Sequence, residues 1–242
     1  MPASRIQRLT TAHVAHVHRD IPDPGPVLIE GYRPATEADY AAEIERIIAT
    51  APTPDDVWVF ASGSLIWNPA YQYVEQRVGV APGWRRSFTL GWDYRFRGSV
   101  EKPGLMMAID RGGQCRGVVH RLPSETLREQ LDTLIHREMS MVPTAFPARW
   151  ISVHTPEGRV HALTFPMNRK SSRYIGGLTP EATADVLASA CGFRGSMAEY
   201  LRATVEQLES LGIHDTYLWK LQALVADRIE AAHGGHGRDR VE

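Results

Sequence analysis

Val57-Trp-Val-Phe-Ala-Ser-Gly-Ser-Leu-Ile-Trp-Asn-Pro69 is an apolar run that breaks into a turn of small residues. Apolar side chains at four successive positions, 57–60, fit a strand covered on both faces. Ala61-Ser-Gly-Ser-Leu65 then strips the chain of side-chain bulk, so successive backbone N–H groups can face outward and cradle an anion. No Lys-Ser/Thr pair follows, so the turn is not a P-loop. Ser64 also lacks the Gly-x-Ser-x-Gly elbow of a serine nucleophile. From these residues alone, a plain tight turn and an anion cradle are both open.

Outward from this stretch, further strand-like runs occupy 73–80, 84–92, 105–110, 114–122, 149–154 and 159–165. Arg111-Gly-Gly113 and Thr155-Pro-Glu-Gly158 read as hairpin turns, which makes neighbouring strands antiparallel. Five strands precede the first internal helix, so the rhythm is not βαβ; a curled or barrel-like sheet with helices gathered at its edge fits better. Helices are expected at about 124–139, from Thr179-Pro180 to Gly192, at 196–211 and at 214–232. The last two carry apolar stripes, Tyr200, Leu201, Val205 and Leu208, then Leu218, Leu221, Val225 and Ile229. The class is α+β: a small, mostly antiparallel β-barrel with flanking helices.

Upstream, Pro22, Pro24, Pro26 and Pro34 interrupt any regular element. One helix follows from Thr36, with Tyr40, Ile44, Ile47 and Ile48 on a stripe. The expected organisation is an N-terminal arm over 1–55, a catalytic domain over 56–232 and a polar, glycine-rich tail over 233–242.

The chain has 242 residues, with 27 Lys plus Arg against 28 Asp plus Glu, a formal charge of −1. That balance excludes a general nucleic-acid binder, which needs a basic surplus. No apolar run approaches the ~20 residues of a membrane span, and no signal-peptide apolar core opens the chain, so a cytoplasmic protein is expected. Cys115 and Cys191 have no disulfide or metal-ligand spacing. His13, His16 and His18 offer no clear ligand set, and no metal site is expected.

Two carboxylates are candidates for chemistry. In the helix at 124–139, Leu127, Leu131, Leu134 and Ile135 define an apolar face, and Glu138 continues that series. A carboxylate entering an apolar face has its pKa raised by burial and by the helix's negative end, as a general base near neutrality requires. The competing reading is a helix-end carboxylate that turns outward or pairs with Arg149. The rival is Glu101, in the glycine-bounded loop Arg97-Gly-Ser-Val-Glu-Lys-Pro-Gly104, where pairing with a neighbouring cation is the plainer role.

Taken together, these blocks resemble the ChaC-like γ-glutamylcyclotransferases. Residues 57–69 are similar to that family's strand and Tyr-Gly-Ser-Leu loop, and Arg97–Gly104 to its Arg-Gly-Thr-x-x-x-Pro-Gly region. Cys115-Arg-Gly-Val-Val-His-Arg-Leu122 resembles its Gly-Val-x-Tyr-Arg-Leu strand, and Leu134-Ile-His-Arg-Glu-Met139 its Arg-Glu segment. Ala198-Glu-Tyr-Leu201 and Leu211-Gly-Ile-His-Asp215 resemble the bacterial members. The resemblance implies a small β-barrel with flanking helices that cleaves glutathione to 5-oxoproline and cysteinylglycine, with no metal or organic cofactor. It implies that Glu138 is catalytic, and that Ser62, Gly63, Ser64, Leu65, Arg97, Gly98 and Glu101 bind substrate. Backbone N–H groups at 63–65 would hold the γ-glutamyl α-carboxylate. Two departures bear on substrate choice: Ser62 stands where the family has tyrosine, and Met139–Phe146 offers no tyrosine matching the family's Gly-x-Tyr. The other readings are the same chemistry on different γ-glutamyl amino acids or amines, and a γ-glutamyl-binding module without turnover.

Overall fold

Paired short strands and amphipathic helices divide into two units in the computed structural model, which describes residues 6–234. One unit joins 28–89 to 107–174; the other joins the segment ending at Val27, the excursion 90–106, and the chain from Ile175 onward. Residues 235–242, most of the expected tail, lie outside the described residues, as do 1–5.

In chain order the elements are α1 (Thr11–Val17), β1 (Arg33–Pro34), α2 (Glu37–Ala49), β2 (Trp58–Ala61), α3 (Ser64–Trp67), β3 (Glu75–Asp93) and β4 (Gly104–Arg121). There follow a 3₁₀ turn (Ser124–Thr126), α4 (Leu127–Glu138), β5 (Met141–Val142), β6 (Arg149–Thr155) and β7 (Gly158–Thr164). The chain ends with α5 (Pro180–Leu187), β8 (Cys191–Gly192), β9 (Gly195–Ser196), α6 (Met197–Ser210) and α7 (Thr216–Gly234).

The first unit is built on a closed barrel in the order β2-β4-β3-β6-β7. β2 pairs antiparallel with β4 and parallel with β7, and every side chain of 57–61 is buried, which is why the run is apolar at every position. Trp58, Phe60, Ile109, Val119, Ile151 and Val153 form its core. Each such side chain contributes roughly 1.5–3 kcal/mol by leaving water. β2 and β4 approach so closely at Gly117 that a Cβ there would lie 2.5 Å from the Ala61 carbonyl oxygen and 2.9 Å from the Phe60 ring. Glycine is therefore required beside the point where β2 ends and the small-residue turn begins. α2 packs on α4, with Ile44 and Ile47 buried.

Two of the expected breaks are absent. Arg111-Gly-Gly113 is not a hairpin turn: it lies inside β4, with φ of 115° at Gly112 and 69° at Gly113. Pro82-Gly83 likewise lies within β3, with Gly83 at φ 80°. Glycines at positive φ let a strand bend without leaving the ladder. Thr155–Gly158 does close a hairpin, between β6 and β7.

The second unit gathers α1, α5, α6 and α7. Thr179 and Ser196 cap α5 and α6 through their hydroxyls, with Pro180 opening α5. The stripes of α6 and α7 are buried as expected, Leu201, Leu208, Leu218, Leu221, Val225 and Ile229 almost completely. The Leu9 N–H donates to Gln222 Oε1 at 2.7 Å, tying the N-terminal segment to α7. Among the described residues no helix is long and apolar enough to cross a membrane.

Candidate active site

The small-residue turn leaves β2 at Ala61 and becomes the single-turn helix α3, with Gly63 as its N-cap and no side chain capping it. Ile66 N–H donates to the Gly63 carbonyl at 2.9 Å and Asn68 N–H to the Ser64 carbonyl at 2.8 Å. The N–H groups of Gly63, Ser64 and Leu65 precede the first helical acceptor, so they have no partner within the helix. Leu65 and Ile66 anchor the turn by burial. From β3, the buried Arg86 donates through Nε to the Ser62 carbonyl at 2.6 Å, and also donates to the Arg116 carbonyl. Arg86 therefore turns the Ser62 carbonyl towards itself and fixes the turn against two barrel strands.

α4 brings a carboxylate to this turn. Leu131, Leu134 and Ile135 are buried, and Glu138 is the last residue of the helix. Arg137 makes the connection: one guanidinium nitrogen donates to Ser64 Oγ at 3.1 Å and another to the Asn68 carbonyl. Its Nε stands 3.3 Å from Glu138 Oε1. The cation beside Glu138 is thus Arg137 and not the Arg149 of the competing reading. Only 20% of the Glu138 side-chain surface is exposed. Burial pushes its carboxyl above the ordinary glutamate range, and the Arg137 charge and hydrogen bond act in the opposite direction.

This opposition gives a pH prediction. Arg137→Gln removes the group that favours the carboxylate form, so Glu138 ionises at higher pH. The acidic limb of the kcat/KM profile is expected to move upward in pH; a downward shift would contradict the assignment.

A buried polar chain borders the carboxylate. Tyr71 Oη lies 2.9 Å from His120 Nδ1, and His120 Nε2 lies 2.9 Å from Gln76 Oε1. Burial pushes the imidazole down to about 4, so it is neutral near pH 7. The Gln76 carbonyl can only accept, which puts the proton on Nε2 and makes Tyr71 the donor to Nδ1. The Tyr71 hydroxyl is itself raised, first by burial and then by the negative charge of Glu138. Between about pH 6.5 and 4 the unfolded chain protonates this imidazole and the folded chain does not, so stability falls across that window. The expected loss is of order 3 kcal/mol at ~1.4 kcal/mol per pH unit. Denaturant midpoints at pH 7 and 4.5 check it: His120→Gln is expected to flatten the difference.

Arg97, Gly98 and Glu101 belong to the other unit, at the tip of the 90–106 excursion. The Asp93 carboxylate accepts from the N–H groups of Arg95, Phe96 and Arg97 at 3.1, 3.0 and 2.6 Å. The Arg97 guanidinium is engaged by Glu199 Oε2 at 2.7 Å and the Ser196 carbonyl at 3.2 Å. Glu101 is exposed, and its own N–H and the Ser99 hydroxyl hold its carboxyl below the ordinary range. Of the two rival carboxylates, only Glu138 is shifted in the direction a general base needs. Among the described residues no cluster of three or more His, Cys, Asp or Glu could hold a metal ion. Arg86, Arg137 and the Tyr71–His120 pair escaped the sequence reading of the site. For Arg137 a signal existed in the Arg-Glu pair, whereas the partners of the others are fixed only by tertiary contact.

A strand-ending turn whose N–H groups have no partner within the helix is thus strapped by Arg137 to a raised carboxylate at the end of α4. The model of the family described as ChaC-like protein matches residues 57–228, and the chain belongs to that family. It is 35% identical to a glutathione-specific γ-glutamylcyclotransferase of Escherichia coli K12, over 72% of this chain and 75% of that one. With glutathione-specific γ-glutamylcyclotransferase 1 of Mus musculus it shares 30% identity, over 66% and 72% of the two chains. Among solved structures, a yeast γ-glutamylcyclotransferase specific to glutathione superposes with a TM-score of 0.66 at 20% identity, covering 74% of this chain and 99% of that one. That likeness speaks for the fold.

Proposed function

We propose that this protein is an enzyme that cleaves glutathione by cyclising its γ-glutamyl group to 5-oxoproline, releasing cysteinylglycine in the cytoplasm. The observation that carries the proposal is the strap from Arg137 to Ser64 and Asn68, which sets a raised Glu138 carboxyl beside a turn of open N–H groups. Residues 56–232 are the proposed catalytic domain, and 1–55 the arm that precedes it.

In this reading the N–H groups of Gly63, Ser64 and Leu65 hold the substrate's α-carboxylate, with Ser62 beside them. Glu138 takes a proton from the α-amine, whose nitrogen attacks the γ-carbonyl carbon. The protonated Glu138 then gives its proton to the leaving nitrogen as the C–N bond to cysteine breaks, and the second proton shed by the attacking nitrogen passes through the same carboxylate to the released amine, which departs as an ammonium. No water enters the products, and Glu138 ends as it began. The attack is intramolecular, so a correctly folded substrate gains effective molarities of ~10⁵ M or more. An ordinary glutamate near 4.3 facing an amine near 8 makes the proton transfer uphill by about 5 kcal/mol. Each pH unit by which burial raises Glu138 removes ~1.4 kcal/mol of that.

The second reading is the same cyclisation on other γ-glutamyl amino acids or amines, favoured by Ser62 in place of the family tyrosine. A competition assay decides between them. Glutathione and γ-glutamyl amino acids are supplied together, and the leaving amines are quantified. Cysteinylglycine is expected to dominate; preferential loss of the other γ-glutamyl compounds would move the substrate assignment.

A further inference from the structure

Part of the chain ahead of the family match belongs to the same unit as Glu138 and meets it on both sides. Arg33 and Pro34 pair antiparallel with Val142 and Met141 as β1 and β5. The Ala35 N–H continues that register, donating to the Ser140 carbonyl at 3.1 Å. Two residues before Glu138, the His136 ring lies against Tyr40 of α2, with centroids 4.0 Å apart. His136 Nδ1 donates to the Asp132 carbonyl at 2.9 Å, and Nε2 lies 3.4 Å from Glu37 Oε1. Glu138 therefore sits between two residues, 136 and 140, that are both gripped by the stretch 35–40.

That stretch is itself braced. Asp39 accepts from both arms of the Arg33 guanidinium, at 2.6 and 2.7 Å, and from the Thr36 N–H and hydroxyl, at 2.8 and 2.7 Å. A bidentate pair and a capping box on one carboxylate tie β1 to the first turn of α2. Ile44 and Ile47 bury the middle of α2, and Glu45 meets Arg128 at 2.7 Å near the start of α4. The two helices thus run antiparallel, with the first turn of α2 on the last turn of α4. Helix ends fray, and the turn that carries Glu138 is closed by Met139 N–H on the Ile135 carbonyl at 2.8 Å. The grip on 136 and 140 opposes that fraying from both sides.

We infer that the stretch 35–40 positions Glu138: Tyr40 on one side and the β1–β5 ladder on the other hold the last turn of α4 in place against the 64–68 turn. The inference rests on the proposed reading in which Glu138 is the general base. Tyr40 is then a positioning residue that acts through α4, and residues ahead of the family match serve the chemical step.

The test compares Tyr40→Ala, Tyr40→Phe, Ala35→Pro and Glu45→Gln in the full chain. Tyr40→Phe keeps the ring, and Ala35→Pro removes the N–H that Ser140 accepts. Glu45→Gln breaks the α2–α4 contact at the end away from Glu138. Tyr40→Ala and Ala35→Pro are each expected to lower kcat on glutathione about 5- to 10-fold with KM within about 2-fold, since a small displacement of a reacting group is costly while the N–H groups of 63–65 stay in place. Tyr40→Phe and Glu45→Gln are expected to match wild type. Tyr40→Ala alters no charge at Glu37, Asp132 or His136 beside it, nor at Arg137 and Tyr71, which bear on Glu138. A loosened turn admits water to Glu138, so the acidic limb of kcat/KM is expected to move down in pH, opposite to Arg137→Gln. Unchanged kcat in Tyr40→Ala, an equal loss in Tyr40→Phe or Glu45→Gln, a rise in KM alone, or a limb that stays put or moves up would each overturn the inference. Amide hydrogen exchange over residues 137–139 gives a readout independent of turnover: faster exchange in Tyr40→Ala than in Glu45→Gln is expected, and equal exchange overturns the grip. Should Tyr40→Ala not fold, Ala35→Pro decides by the same readouts. Should wild type release no 5-oxoproline, the functional reading fails, while exchange still decides the grip.

Discussion

Glu138→Gln is expected to lower 5-oxoproline release by at least about 10²-fold, the usual scale for losing a general base. The amide keeps the shape of the side chain, so α4 still ends against the 64–68 turn, but it can neither take the α-amine proton nor return it to the leaving group. The loss should fall on kcat, because substrate is proposed to be held by backbone N–H groups that the substitution leaves in place. Stability moves the other way. A carboxyl raised in the folded state binds its proton more tightly there than in the unfolded chain, so wild type loses stability as pH rises above the ordinary glutamate value. The glutamine variant lacks that penalty, and at pH 8 it should unfold no earlier than wild type in a thermal melt. Glu101→Gln is the comparison: an exposed carboxylate held below the ordinary range is expected to leave product release near wild type. Near-wild-type product release from Glu138→Gln would remove Glu138 from the mechanism.

Gly98→Ala is expected to produce the largest structural effect at the 90–106 tip. A Cβ at this position would lie 2.1 Å from the Gly104 nitrogen and 2.2 Å from the Asp93 carbonyl oxygen. Both are backbone atoms, so no rotamer change relieves the clash and the two limbs of the tip must separate. Overpacking of this kind costs about 1–3 kcal/mol, which lowers Tm by roughly 2–12 °C for a chain of this size. Separation also pulls Arg97 N–H from Asp93 and strains the hold of Arg97 on Glu199. A thermal melt checks the expectation. A variant that melts with wild type would mean that the close approach is not needed.

The barrel was legible where burial leaves a continuous signature. β2 reads as apolar at every position because each of its side chains is buried, and the period of Leu131, Leu134 and Ile135 runs on to Glu138, which the sequence left open between an inward and an outward carboxylate and which the fold buries. One expected hairpin turn and one expected gap between strands were misplaced for the same reason. Gly83, Gly112 and Gly113 have the composition of turns, yet at positive φ they bend a strand that continues to pair. The division into two units was not visible because the 90–106 excursion leaves the barrel in mid-hairpin. The partners that fasten it, Asp23, Phe193, Ser196 and Glu199, lie far away in sequence. Arg137 shows the same limit at the site. One position before Glu138, it lies off the apolar stripe, and nothing local says that its guanidinium spans to Ser64 and Asn68. The anion-cradling turn was open between two readings in sequence. What supports the functional one is the buried Arg86, which occupies the Ser62 carbonyl, together with an N-cap that offers no side chain to the first N–H groups of α3.

The central claim is tested most directly by incubating the purified full-length protein with glutathione under reducing, near-neutral conditions and quantifying both products. The account predicts 5-oxoproline and cysteinylglycine in equal amounts, with no free glutamate. Glutamate in place of 5-oxoproline would show hydrolysis by water and not cyclisation, and binding of glutathione without either product would show a module that does not turn over; each would contradict the account.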